Sequence, residues 1–238
     1  MSFVPSFVFF VLKKCRFGSP LTDSPKDTTI VNQYFVTGIG TEIGKTIVSA
    51  ILTEALHADY WKPIQSGDLD NSDSLKIQHW VSNPHTRIHP ERFRLNTPLS
   101  PHASAAIDGV EIKVQDFQLP DTSRPLIVEG AGGLMVPLNH QETMLDLIQH
   151  LNLPVILVSR HYLGSINHTL LSLEVLRSRG IVLAGLLYNG LENVASEKAI
   201  EALSGVKVLG RVREMAHISP EAIAQQAEAV RGRFVNPT

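Results

Sequence analysis

The stretch Tyr34-Phe35-Val36-Thr37-Gly38-Ile39-Gly40-Thr41-Glu42-Ile43-Gly44-Lys45-Thr46-Ile47-Val48 constrains this chain more than any other. An apolar run gives way to glycines, then to Gly44-Lys45-Thr46, then to residues at helical spacing. A glycine-rich loop between a buried strand and a helix wraps phosphates. Backbone N–H groups point at the anion, the lysine reaches the outer phosphates and the hydroxyl binds magnesium. The strict pattern places four residues between its two glycines, and Ile39 stands where the first should be. Gly38 supplies it one residue earlier, which lengthens the loop by one. The strand-like run before and the helical pattern after make a chance occurrence the weaker explanation.

The rest of the chain repeats the alternation of strand and helix. Ile47, Val48, Ile51, Leu52 and Ala55 are spaced for a helix over 47–57. Tyr60 to Ile64 predicts a short strand with Lys62 near its C-terminal end, followed by a turn at Gln65-Ser66-Gly67. Asn71-Ser72-Asp73 offers caps for a helix through Trp80, residues 82–101 read as an irregular loop, and a helix starts near Pro101. Arg124 to Glu129 is a nearly continuous apolar strand ending in a carboxylate, and Leu153 to Val158 is another. The segment His161 to His168 leads into a helix containing Leu170, Leu173 and Leu176. Strands follow at 181–188 and 206–210, and a last helix at 220–231. Apolar strands without alternation, separated by helices, indicate a mostly parallel central sheet with helices on both faces, an α/β three-layer sandwich. In such sheets ligands bind beyond the C-terminal ends of the strands. That rule gathers Lys45, Lys62, Glu129 and Asn189 at one edge.

Composition narrows the classes. The 238 residues allow one well-cored domain, assigned here to residues 33–238. A net charge of −2 gives no basic field for nucleic acid. The single cysteine, Cys15, excludes an internal disulfide framework and fits a cytoplasmic protein. Residues 1–32 carry an apolar run, Ser2 to Leu12, far short of the roughly 20 residues a bilayer span needs. The positive charges Lys13-Lys14 come after that run, whereas a secretory signal has them before it. These residues therefore read as a disordered extension or an upstream-assigned start, in preference to a peripheral membrane anchor.

Lys45 should contact the outer phosphates, and Thr46 should bind magnesium. Glu129, closing a buried strand, could serve the same metal directly or through its other ligands, or be a helix N-terminal acid or plain surface residue; the first is favoured because a carboxylate there is otherwise poorly accommodated. Lys62 could add a second positive charge where a phosphoryl group is transferred, or be a surface lysine with a buried stem. Asp73 could be a metal ligand, a helix cap, or both. Gly130-Ala131-Gly132-Gly133 would let a ligand approach the backbone or simply permit a tight turn. Gly164-Ser165-Ile166-Asn167, before a helix, could bind a carboxylate on its N–H groups. The ten histidines show no metal-ligand spacing.

Six blocks in order resemble the dethiobiotin synthetase family: Thr37 to Thr46, Lys62-Pro63-Ile64-Gln65-Ser66-Gly67, Asn71-Ser72-Asp73, Ser100-Pro101-His102, Val128 to Gly133, and Leu163-Gly164-Ser165-Ile166-Asn167-His168. The resemblance implies a P-loop NTPase-like fold and a homodimeric, magnesium- and ATP-dependent ligase of biotin biosynthesis. Its small-molecule substrates would be diaminopelargonic acid, carbon dioxide and ATP. Carried over residue by residue, Glu42, Ile43, Gly44, Lys45, Thr46 and Ile47 would hold ATP. Asp73, Glu129, Gly130, Ala131 and Gly132 would join them, with Asn189 and Gly190 near the base. Thr46, Asp73 and Glu129 would surround magnesium, and Lys62 and Lys45 would be catalytic. Thr41, Ser66 and Glu129 would face the diamine, and Gly164, Ser165, Ile166 and Asn167 would hold its carboxylate tail in the other subunit's site. Gly40 stands where the family usually has an acidic residue, and Arg211 to Met215 replaces a proline-containing segment.

Two other classes share such a loop. Synthetases of cobalamin assembly carry a further glutaminase domain with a reactive cysteine, for which the residues after Gly210 offer neither room nor thiol. Nucleotide switches of the partitioning or cell-division type have an extra lysine early in the loop, where this chain has Ile39 and Gly40.

Overall fold

The apolar run before the glycine-rich loop forms β1, Gln33–Gly38, the middle strand of a seven-stranded sheet. The computed structural model describes residues 32–235. The expected extension over 1–32, Cys15 included, lies outside the described residues except for Asn32. In chain order the strands are β1, β2 (Asp59–Trp61), β3 (Ile64–Ser66), β4 (Ile88–His89), β5 (Phe93–Leu95), β6 (Leu126–Gly133), β7 (Val155–Arg160), β8 (Leu183–Asn189) and β9 (Val208–Val212). The helices are α1 (Lys45–Leu56), α2 (Asp73–Trp80), α3 (Pro101–Ile107), α4 (Met144–Leu151), α5 (Ser165–Ser178), α6 (Val194–Ser204) and α7 (Pro220–Val235). The main sheet runs β4-β2-β6-β1-β7-β8-β9, and every pairing in it is parallel.

The strands are apolar on both faces because both faces are covered. On one side Val36, Ile156 and Val158 meet Val48, Ile51 and Leu52 of α1 and Ile223, Ala227 and Val230 of α7. On the other, Phe35, Val128 and Val155 meet Leu145, Leu147 and Ile148 of α4 and Leu176 of α5. Each such fully buried aliphatic side chain contributes roughly 1.5–3 kcal/mol, so the two layers lock the sheet and fix where its C-terminal edge lies. No helix among the described residues is long and apolar enough to cross a membrane.

Several local expectations change. β6 does not end at Glu129 but continues through the glycines to Gly133, because Gly133 still pairs with Gly38 of β1 across a bulge. Glu129 is thus inside a strand. Gln65 and Ser66 are not a turn: they belong to β3, which pairs with β5 from the region expected to be irregular. The strand expected over 60–64 is interrupted: β2 ends at Trp61, Lys62 directly follows it, and β2 is the second strand from the sheet's edge. α5 begins at Ser165, inside the segment read as leading up to it. α4 and α6 lie where no helix was expected.

Candidate functional site

The glycine-rich loop turns from β1 into α1 through two left-handed residues, Glu42 at φ 58° and Gly44 at φ 89°. Gly44 occupies the cap position of α1, where among the described residues no side chain caps the helix and no acid sits in the first turn. The first amides of α1 are therefore left for an outside acceptor. A side chain at position 44 would be strained by that φ and would collide with the amide of Asn189. Asn189, at the end of β8, donates through Nδ2 to the Ile43 carbonyl at 2.8 Å and so braces the loop from outside. Lys45 spans the loop, its Nζ donating to the Gly40 carbonyl at 2.9 Å. At Gly40 an added Cβ would meet nothing, so a side chain could be accommodated there.

The loop opens into a cavity of about 870 Å³ at the C-terminal edge of the sheet. Thr41, Glu42, Gly44, Lys45, Thr46 and Ile47 line it from the loop. Across from them stand Lys62, Ser66, Asp73, Glu129, Ala131, Gly132 and Asn189. Three expected residues fall just outside the lining. Ile43 is buried beneath the loop and offers its carbonyl to Asn189. Gly130 presents its carbonyl to Lys62 at 3.5 Å. Gly190 donates its N–H to Val212 and lies under the side chains of Arg160 and Glu214.

The chemistry centres on Lys62, which is 4 % exposed. Its Nζ donates to Asp73 Oδ2 at 2.6 Å and to Glu129 Oε1 at 3.1 Å. Glu129, 1 % exposed, also accepts from Thr46 Oγ1 at 2.9 Å and from the Tyr60 hydroxyl at 2.8 Å. Burial alone would push the Lys62 ammonium down, but the facing Glu129 and Asp73 carboxylates outweigh it and hold its pKa above the ordinary lysine value. Burial likewise works to raise Asp73, and Lys62 more than reverses it, so Asp73 stays ionised. Lys45 goes the other way. Burial, then the charge of Lys62, bring it down to about 8 against the opposing pull of Glu129 and Asp73. The surface-lysine alternative for Lys62 is therefore set aside, and Asp73 is not the cap of α2: Ser72 is, accepting from Leu75 N–H at 3.3 Å.

Thr46, Asp73 and Glu129 bring one hydroxyl and two carboxylates together, an all-oxygen set of the kind a hard divalent cation prefers. Two carboxylates suit Mg²⁺ better than a cation needing a full protein cage, since Mg²⁺ keeps waters and takes phosphate oxygens as further ligands.

Sequence reasoning missed four contributors. Tyr60 lies in an apolar run, and only folding shows that its hydroxyl reaches Glu129. Gln65 ties the start of α2 to the turn after β3, accepting from Asp73 N–H at 3.3 Å and donating to the Gly67 carbonyl at 2.9 Å. Lys76 and Arg160 add two more cations to the cavity wall. For Lys76 a signal existed in its position one turn after Asp73; for Arg160 the strand end gave a hint, as it did for Asn189.

Gly164, Ser165, Ile166 and Asn167 are not brought to this cavity. They line a second one of about 750 Å³ at the start of α5, together with His161, Tyr162 and Leu163.

Residues 32–222 match the family model described as AAA domain. The ATP-dependent dethiobiotin synthetase of Christiangramia forsetii is 54% identical over 201 residues, covering 84% of this chain and 97% of that protein. The enzyme of the same name from Cytophaga hutchinsonii is 50% identical over 192 residues, or 80% of this chain and 90% of its own. Among solved structures, a ParA family ATPase from Chlorobium tepidum TLS aligns with a TM-score of 0.54 at 12% identity, over 83% of this chain and 98% of that one. The pNOB8 ParA bound to nonspecific DNA aligns with a TM-score of 0.51 at 9% identity, over 88% and 100%. At such low identity these two carry the fold alone, a parallel P-loop sheet. The relatives that share about half their residues over nearly their whole length decide the family: the chain belongs to the ATP-dependent dethiobiotin synthetases.

Proposed function

We propose that residues 33–238 act as one catalytic domain that closes the ureido ring of dethiobiotin from diaminopelargonic acid, carbon dioxide and ATP, releasing ADP and phosphate. The observation that carries this reading is the Lys62 ammonium, buried between two carboxylates in the cavity onto which the phosphate loop opens. Phosphoryl transfer needs positioning and charge neutralisation more than covalent help from the protein, and a fixed cation supplies both.

In this reading one substrate amine adds to carbon dioxide and loses a proton, giving a carbamate. A carbamate oxygen attacks the γ-phosphorus of ATP and the bond to ADP breaks, leaving a carbamic–phosphoric anhydride. The second amine attacks the carbonyl carbon, phosphate leaves, a proton is lost and the ring closes. Backbone amides from Glu42 to Ile47 and the Lys45 ammonium hold the phosphates. Lys62 neutralises the carbamate and the moving phosphoryl group. Glu129 and Asp73 hold its pKa above the ordinary lysine value, so it meets the substrates as a cation. Thr46, Asp73 and Glu129 would hold Mg²⁺, which when bound neutralises phosphate charge. Thr41, Ser66 and the backbone from Glu129 to Gly132 face the diamine, and Asn189 and Gly190 lie at the base end. The carboxylate tail would sit at Gly164–Asn167 of a second copy, whose helix N-terminus favours an anion. The protein would act in the cytoplasm as a homodimer.

The test is ADP release from Mg-ATP by the purified protein, with bicarbonate and diaminopelargonic acid each present or withheld. Release should require both. Equal turnover without the diamine would overturn the reading and favour a nucleotide switch.

A further inference from the structure

Glu197 on α6 takes no part in the reaction above, yet its largely buried carboxylate is the hub of a network. Its Oε1 accepts from the Asn193 N–H at 2.9 Å and from His161 Nε2 at 2.8 Å, and it pairs with Arg211. The side chain is only 13% exposed. Arg211 in turn donates through Nη1 to the carbonyls of Gly190, at 3.3 Å, and Leu191, at 3.1 Å, directly after Asn189. His161 opens the segment through Leu163 and Gly164 that lines the second cavity. Between the two arms lies Tyr188, 1% exposed, with the His161 ring stacked at 5.2 Å and the Arg211 guanidinium 5.4 Å from its ring centre.

One carboxylate therefore fixes two loops that serve different ligands. One arm runs from Arg211 through Gly190 and Asn189 to the Ile43 carbonyl of the phosphate loop. The other runs from His161 to the start of α5. Ion pairs this shielded hold geometry far better than exposed ones, and losing the shared acceptor leaves both arms unpaired. We propose that Glu197 is a positioning residue that couples the nucleotide end of the main cavity to the pocket at the start of α5. The proposal rests on the reading that ATP fills the first and the diamine's carboxylate the second. In a two-fold dimer that pocket serves the partner's site, so nucleotide held in one subunit would favour the diamine in the other.

The experiment measures kcat and KM for ATP and for diaminopelargonic acid in the wild type, Arg211→Gln, His161→Gln, the double variant and Glu197→Ala. If the arms are one unit, each single variant raises both KM values, by about fivefold or more, as coupled sites do. The double variant is then no worse than the worse single one, because either change severs the same link. Values of kcat stay within about twofold, since the charge stabilisation at Lys45 and Lys62 is untouched. Glu197→Ala should match the double variant; should it fail to fold, the Arg211–His161 cycle decides alone. If each single variant raises only its own ligand's KM and the effects add, or if only thermal stability changes, the coupling is refuted. A wild type without diamine-dependent ADP release would refute instead the functional reading on which it rests.

Discussion

Lys45 and Lys62 are both buried lysines in one cavity, and their pKa values move in opposite directions. Lys62 faces two carboxylates that outweigh its burial and is held up, whereas burial and then the charge of Lys62 bring Lys45 down to about 8. Phosphates favour the charged lysine, so nucleotide binding must raise the Lys45 pKa and take up a proton above that value. Affinity for a non-hydrolysable ATP analogue should fall by up to about tenfold per pH unit as pH climbs past 8. Calorimetry in two buffers of different ionisation heat would show the proton uptake, and affinity that stays flat from pH 7 to about 9.5 would contradict it. Unfolding through this group would not mimic the effect. A lysine whose folded pKa lies below its unfolded one adds stability as pH rises between the two. At this scale the positions of Lys45 and Thr46 in the cavity wall at the start of α1 were legible, because the loop motif fixes them there. From its own surroundings in the sequence, Lys62 was legible only as an even choice between a cation at the phosphates and a surface lysine, since its burial depends on Asp73 and Glu129, 11 and 67 residues away. Tyr60 was not legible at all, because an apolar strand gives no sign that one hydroxyl in it finds a buried carboxylate.

Elements with a strong local signal were found, and those made by distant pairing were not. α1 and α7 announce themselves by periodicity. α4 carried an unread signal: Asp146, three residues after Thr143, accepts from the Thr143 N–H at 2.8 Å at the start of a run containing Met144, Leu145, Leu147 and Ile148. α6 buries only Ile200, so its apolar pattern is faint. β3 and β5 are three residues each and meet only because Ile64 pairs with Phe93, which no local pattern encodes. The bracing of the phosphate loop is likewise an effect between elements, as β8 delivers Asn189 to the carbonyl of Ile43, which lies just ahead of α1. Asn189→Ala should therefore weaken nucleotide binding through the loop rather than through the base. One lost hydrogen bond of about 0.5–1.5 kcal/mol corresponds to a few-fold to about tenfold rise in Kd. Titration with ATP and GTP analogues should show the same factor for both; a change in their ratio would instead make Asn189 a reader of the base.

For the whole molecule, parallel pairing is what turned scattered residues into a site. Once every strand of the main sheet points the same way, Lys62, Asn189 and the phosphate loop must share an edge, and that much followed from the apolar strands alone. The Gly164–Asn167 pocket breaks the pattern. It stands at the same kind of strand end, after β7, yet it opens into its own cavity rather than the one holding Lys62. In the two-fold assembly proposed above, each subunit would offer its α5 start to the other's Lys62. Two damaged proteins should consequently repair each other. Lys62→Gln removes the cation but keeps hydrogen-bonding capacity toward Asp73 and Glu129. Asn167→Asp places a negative charge at the helix start, which suits the helix dipole but repels an incoming carboxylate. Each variant alone should be nearly inactive. Unfolded, refolded and mixed in equal amounts, they should form heterodimers in which one site has both Lys62 and Asn167, recovering about a quarter of wild-type activity by random pairing. If each site were completed within one chain, no heterodimer would contain an intact site and the mixture would stay as inactive as its parts.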